Sequence, residues 1–115
     1  MKEHKPWGYY QVISDEADHK LKKIVVYPGE RLSLQRHRHR DEHWYMLRGE
    51  ADVAIGDKNL HVGMGESLDI PRGELHRVAN SGTEPVIFIE VQTGEYFDEN
   101  DIERVEDDYG RVTGG

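Results

Sequence analysis

Cysteine is absent from this 115-residue chain, which excludes disulfide bridges, thiolate metal sites and a cysteine nucleophile. Any metal ion must therefore be held by nitrogen and oxygen ligands. Long apolar runs are missing too. No stretch approaches the roughly 18 to 20 residues that cross a bilayer, and the opening Met1-Lys2-Glu3-His4-Lys5-Pro6 lacks the apolar segment of a signal peptide. A soluble, cytoplasmic protein without membrane contact is expected. Positive charge is scarce, with 15 Lys and Arg against 23 Asp and Glu and a formal net charge of -8. Such a balance disfavours nucleic acid, whose phosphates need Lys and Arg clustered on one face. The length suits one core and not two, so a single domain over 1–115 is expected.

What the chain does contain is glycine, 12 residues of it, falling between short runs rich in Val, Ile, Leu and Tyr. That pattern predicts strands near 8–13, 20–27, 32–37, 42–48, 51–55, 60–62, 67–70, 76–79 and 86–92. Turns fall at Pro28-Gly29, Arg48-Gly49-Glu50, Gly56-Asp57, Gly63-Met64-Gly65 and Asn80-Ser81-Gly82. About nine strands at regular spacing imply an antiparallel barrel or double sheet, which hides its edges. The barrel is expected over about 7–94. The acidic tail, 95–115, reads as irregular or as a short helical turn capped by Asp98 or Asn100 and running through Ile102 and Val105.

Charge is unevenly distributed. Arg31, Arg36, Arg38, Arg40 and Arg48 fall within one short stretch, a local cationic patch that suits a small anionic ligand better than a polymer. The same stretch carries Gln35-Arg36-His37-Arg38-His39-Arg40-Asp41-Glu42-His43-Trp44. Side chains alternate along a strand, so Gln35 and His37 share a face. A tight turn through 38–41 would bring Glu42 back to the same point, and His76, opening another strand after Pro71-Arg72-Gly73, can complete a site. Two imidazoles, a carboxylate and an amide oxygen suit zinc, iron, nickel, cobalt or manganese. His39 competes with Gln35 as the fourth ligand, and Gln35 can instead orient the others.

Gly29, Gln35, His37, Glu42 and Gly49 resemble the first cupin signature, with Gln35 replacing its first histidine. Gly65, Pro71, Gly73, His76 and Asn80 match the second signature at every fixed position. The Gln-x-His pair is similar to the zinc site of phosphomannose isomerases. Lys5-Pro6-Trp7-Gly8, Pro28-Gly29-Glu30-Arg31-Leu32-Ser33-Leu34-Gln35, His39-Arg40-Asp41-Glu42-His43-Trp44, Ile89-Glu90-Val91-Gln92-Thr93-Gly94-Glu95-Tyr96 and Glu106-Asp107-Asp108-Tyr109-Gly110-Arg111 resemble the type II phosphomannose isomerase (mannose-6-phosphate isomerase) cupin domain nearly end to end. The fold so implied is all-β, a small double-stranded β-helix or jelly-roll barrel. In many members of that family the domain follows a mannose-1-phosphate guanylyltransferase half. This chain has no room for that half and reads as a free-standing or excised isomerase domain.

The resemblance implies interconversion of mannose 6-phosphate and fructose 6-phosphate through an enediolate, with one divalent metal, zinc first and Co, Mn, Ni or Fe as alternatives. The metal ligands it implies are Gln35, His37, Glu42 and His76. Arg31 and Ser33 share the strand face of Gln35, and an inward arginine needs an anion, so Arg31 is a candidate phosphate or hydroxyl partner. Arg40 and Arg72 lie in expected loops at the ligand end and are candidate substrate-binding residues. Lys22 alternates with Ile24 and Val26 and can point to the mouth, where it and Arg31 are candidate catalytic groups; the general base is not legible. Trp44 and Met46, on the face of Glu42, are expected to pack in the core. Leu32 and Leu34 are expected on the opposite face, covered by a second sheet or by the partner in a homodimer. Two other functions compete: a cupin dioxygenase, against which Gln35 counts, and a non-catalytic sugar binder, which would need no phosphate anchor.

Overall fold

A computed structural model describes residues 1–112 as eleven strands and, among the described residues, no helix. They are β1 (Lys2–Lys5), β2 (Gly8–Asp15), β3 (His19–Val26), β4 (Leu34–Arg36), β5 (Arg40–Arg48), β6 (Ala51–Ile55), β7 (Lys58–Val62), β8 (Ser67–Ile70), β9 (His76–Ala79), β10 (Val86–Gly94) and β11 (Glu103–Glu106). All pair antiparallel in two sheets, one in the order β1-β2-β3-β10-β5-β8 and the other β11-β4-β9-β6-β7.

Strand periodicity builds the interior. Along β5 the inward series is Arg40, Glu42, Trp44, Met46, and along β10 it is Val86, Phe88, Glu90, Gln92, all buried. On β3 the series is Lys22, Ile24, Val26. Each series runs from apolar to polar, and antiparallel register sets the polar ends side by side: Glu90 opposite Lys22 and Trp44, Gln92 opposite Glu42. The barrel is therefore zoned. Val26, Met46, Val53, Val78, Val86 and Phe88 close one end as a dry core, with Phe88 stacked 4.5 Å from Trp44. The other end is lined by charged and polar groups.

The tail departs from expectation. Asp98 does cap a turn, accepting from Asn100 N at 3.0 Å, but the chain then extends into β11 instead of continuing as helix. β11 pairs with β4, bringing Glu103 opposite Arg36 and Arg104 opposite Gln35, and Arg36 and Arg38 both bond the Glu103 carboxylate. Strand pairing and these ion pairs outweigh one turn of weak helix propensity. The barrel thus runs past residue 94. Leu32 also differs from expectation, since it packs against the core. Ser33, buried, lines the cavity with Gln35 as alternation requires, but regular pairing lapses before β4, and Arg31, an isolated bridge to Ala79, does not continue the series.

Candidate metal centre

The polar end of the barrel is a cavity of about 90 Å³. His37 enters it from the end of β4, Glu42 from β5 and His76 from the start of β9, all buried. One ligating atom from each lies within 4.8 Å of the others. His37 Nε2 stands 3.2 Å and His76 Nε2 3.9 Å from the Glu42 carboxylate. Gln35, opposite His76 in the β4–β9 pairing, is buried on the same cavity wall.

Hydrogen bonding fixes the imidazole orientation. Nδ1 of His37 is 2.6 Å from the Asp101 carbonyl, and Nδ1 of His76 is 3.0 Å from that of Glu74. A carbonyl only accepts, so each Nδ1 carries the proton and each Nε2 presents a lone pair to the cavity. Arg40 Nη2, a donor, sits 3.2 Å from His37 Nε2 and confirms that tautomer. Burial, then the charges of Arg40 and His76, push the His37 pKa down to about 4, so its imidazole is neutral near pH 7. Burial opposes ionisation of Glu42, yet His76, Arg40 and the donated bonds hold its pKa below the ordinary carboxylate value. Trp44 Nε1 and Arg40 Nε each donate to it at 3.0 Å. Two imidazoles with Nε2 turned inward and a carboxylate, one ligating atom of each within 4.8 Å of the others, fit a divalent cation.

Six cationic side chains line the same cavity, Lys5, Lys22, Arg40, Arg77, Arg104 and Arg111, against three carboxylates, Glu42, Glu90 and Glu99. A protein of net charge -8 has thus gathered positive charge at one point. Burial first, and then Arg111 beside it, depress the pKa of Arg104, a mark of crowded like charge. Arg40 is buried as the first residue of β5 and not in a loop. Lys22, also buried, bonds Glu99 at 2.6 Å and lies 4.2 Å over the Tyr10 ring.

Other expected site residues lie elsewhere. Arg31 is on the outer surface, bonded through Nε and Nη2 to Asp108 at 2.7 and 2.8 Å, and does not line the cavity. It misses the interior because the strand alternation lapses before it. Arg72 is half-exposed and bonded to Asp41. His39 is exposed against Tyr96 and takes no place in the cluster. Sequence reasoning passed over Glu90, although a charge alternating with Phe88 and Gln92 on an inward face was a usable signal. Burial, then the neighbouring Glu42, push Glu90 up to about 7. Asp101, whose carboxylate accepts from Arg38 N and His39 N at 3.0 Å while its carbonyl meets His37, left no local signal.

Comparison with known proteins bears on the fold and the family. The double-stranded β-helix protein of unassigned role from Klebsiella pneumoniae superposes with a TM-score of 0.72 at 25% identity, covering 83% of this chain and 81% of that one. The alginate biosynthesis protein AlgA of Pseudomonas aeruginosa is 46% identical over 109 residues, 95% of this chain and 23% of that protein. The mannose-1-phosphate guanylyltransferase ManC of Salmonella typhimurium is 44% identical over 109 residues, 95% of this chain and 23% of its own length. This chain therefore spans about a quarter of the curated relatives it matches. The family model described as mannose-6-phosphate isomerase C-terminal matches residues 1–107. With its cupin barrel and a match over nearly all its length, the chain belongs to the mannose-6-phosphate isomerase C-terminal family.

Proposed function

We propose that this domain is a metal-dependent aldose-ketose isomerase that interconverts mannose 6-phosphate and fructose 6-phosphate. The observation that carries the reading is the joining, in one cavity, of the His37–Glu42–His76 cluster with six cationic side chains. The reaction needs both, because a proton leaves a carbon next to a carbonyl and the substrate carries a phosphate.

A divalent metal held by His37, Glu42 and His76, with Gln35 beside them, would stabilise negative charge on the sugar oxygens as a Lewis acid. The chain's own residues do the rest. Trp44 and Arg40 hold the Glu42 carboxylate in place through its two oxygens. The carbonyls of Asp101 and Glu74 hold each Nδ1 and so turn each Nε2 inward. Lys22 and Arg40, not Arg31 or Arg72, are the substrate anchors supported by burial and position.

The family relationship, with AlgA an alginate biosynthesis protein and ManC a mannose-1-phosphate guanylyltransferase, supports a place in supplying mannose-derived precursors for polysaccharide biosynthesis in the cytoplasm. Among the described residues no helix is long and apolar enough to cross a membrane. The chain's span of the relatives gives no support to a guanylyltransferase activity here. A homodimer is also proposed, through the outer face of the six-stranded sheet. There the outward residues of β10 are Ile87, Ile89 and Val91, beside Tyr45 and Leu47, where a solvated face would alternate to polar residues.

The deciding experiment is a coupled assay of fructose 6-phosphate formation from mannose 6-phosphate. Metal-stripped protein is tested first, and then again after separate addition of Zn, Co, Mn, Ni or Fe(II). Activity restored by metal and lost in His76→Ala is expected. A folded, metal-binding protein with no turnover under any ion refutes the isomerase and leaves a sugar-phosphate-binding cupin.

A further inference from the structure

The two buried cations of the cavity share one counter-ion. Lys22 Nζ bonds Glu99 Oε2 at 2.6 Å. Arg40 spends Nε and Nη2 on Glu42 and His37, while its Nη1 is buried without a hydrogen-bond partner, 3.9 Å from the same Glu99 oxygen. That carboxylate belongs to no strand. Glu99 lies in the turn between β10 and β11, and its side chain is 48% exposed at the cavity mouth. Lys22 and Arg40 are, by contrast, 4% and 5% exposed at their side chains.

One carboxylate oxygen serves Lys22 well and leaves Arg40 Nη1 unsatisfied, which is costly for a buried donor. An anion with three or four oxygens in one tetrahedral group can meet both cations at once. The cavity, about 90 Å³, offers only a handful of water-sized positions, at roughly 10–15 Å³ each. Within it the Glu99 carboxylate already stands beside both cations, 2.6 Å from Lys22 Nζ and 3.9 Å from Arg40 Nη1. Burial opposes ionisation of Glu99, but Lys22 and Arg40 more than offset it and hold its pKa low, so the group at the mouth is an anion.

We infer that Lys22 and Arg40 form a subsite for a phosphate-type anion whose resting occupant is the Glu99 carboxylate, and that the ligand binds by displacing Glu99 together with the 96–100 turn, while Asp101 stays on His37. This deepens the phosphosugar reading and rests only on its anionic half. Glu99 acts as a tethered competitor, and it sets a threshold that weakly charged ligands do not pass.

The test is calorimetric titration of inorganic phosphate into the full chain as purified. It is run on the wild type, Glu99→Gln, Glu99→Ala, Lys22→Met and the Glu99→Gln/Lys22→Met double variant, with circular dichroism checking each fold. Removing the competing charge is expected to tighten phosphate binding about tenfold, and Lys22→Met to weaken it at least tenfold in both backgrounds. Hydrogen exchange needs no variant: phosphate should speed exchange of amides in the 96–100 turn of the wild type. If Glu99 merely props up Lys22, both Glu99 variants bind phosphate less tightly, which overturns the inference. Affinity unchanged within twofold overturns it as well, and so does binding indifferent to Lys22→Met. Isomerase turnover is read separately. Turnover with phosphate affinity indifferent to Glu99 removes the displacement and keeps the isomerase, while displacement without turnover does the reverse.

Discussion

Replacing Glu42 by glutamine keeps the shape of the side chain and removes only its charge and one acceptor. In the native site each carboxylate oxygen receives a buried donor, Trp44 Nε1 on one and Arg40 Nε on the other, both at 3.0 Å. A glutamine amide has a single acceptor oxygen, so whichever way it turns, its NH2 meets one of those donors. A buried donor left unsatisfied costs about 1–3 kcal/mol. Arg40 also loses its ion-pair partner, and breaking a buried pair from one side costs about 3–5 kcal/mol where nothing else compensates. Here two effects compensate in part: Glu99 lies 3.9 Å from Arg40, and the repulsion that pushes Glu90 up disappears with the Glu42 charge. The expected net loss is about 2–4 kcal/mol. At roughly 3–4 °C per kcal/mol for a chain of this size, the melting temperature should fall by about 10 °C. Urea unfolding followed by tryptophan fluorescence measures this directly, since Trp7 and Trp44 are both buried. Zinc affinity should fall by more than the 10–100-fold usual for residues that only orient ligands. A Glu42→Gln protein as stable as the wild type, or one that still binds zinc within tenfold, would refute the placement of Glu42 as both ligand and anchor of Arg40.

Other outcomes follow from the same structure. Arg31→Ala should leave turnover and melting temperature unchanged, because its partner Asp108 is a surface group and exposed pairs contribute little; a large loss of activity would return Arg31 to the site. Phe88→Ala removes the ring under Trp44 and should cost about 3–5 kcal/mol in denaturant titration, with loss of near-UV ellipticity if the indole is freed. Gly94 has φ +145°, and a Cβ there would meet the His39 carbonyl at 2.4 Å and Arg40 Cα at 3.0 Å. Gly94→Ala should therefore shift the start of β5 and weaken metal binding as well as stability, by about 1–3 kcal/mol for the strain; unchanged metal affinity would show that β5 accommodates the methyl. Saturating metal at about 100 times its dissociation constant should raise stability by about 2.7 kcal/mol, and chelation should reverse the gain. Ile89→Asp should convert the proposed dimer to monomer in sedimentation equilibrium, whereas a wild type already monomeric at high concentration refutes that interface.

The amino-acid sequence by itself determined nine of the eleven strands, all but β1 and β11, and the residues of the His37–Glu42–His76 cluster. Period-2 burial is a local property, so β3, β5 and β10 were legible to within a residue or two, and Lys22, Trp44 and Met46 point inward as alternation requires. His37, Glu42 and His76 were legible because fixed spacing around turns carries the geometry of such a cluster in the chain itself. What alternation could not do was cross a break in pairing. Arg31 sits beyond the lapse before β4, and its side chain turned out to the surface.

Only the tertiary structure decided which charges meet. Register, a relation between strands distant in sequence, set Glu90 beside Lys22 and Glu42, and no local pattern encodes that pairing. The tail shows the same limit. Its residues 98–105 carry a helix cap and enough polar residues for a helical turn, yet β4 offered an unpaired edge, and Arg36 and Arg38 offered partners for Glu103. Pairing to that edge made β11, carried Asp101 against His37 and Glu99 against Lys22, and turned a stretch that read as an irregular or helical tail into one wall of the site.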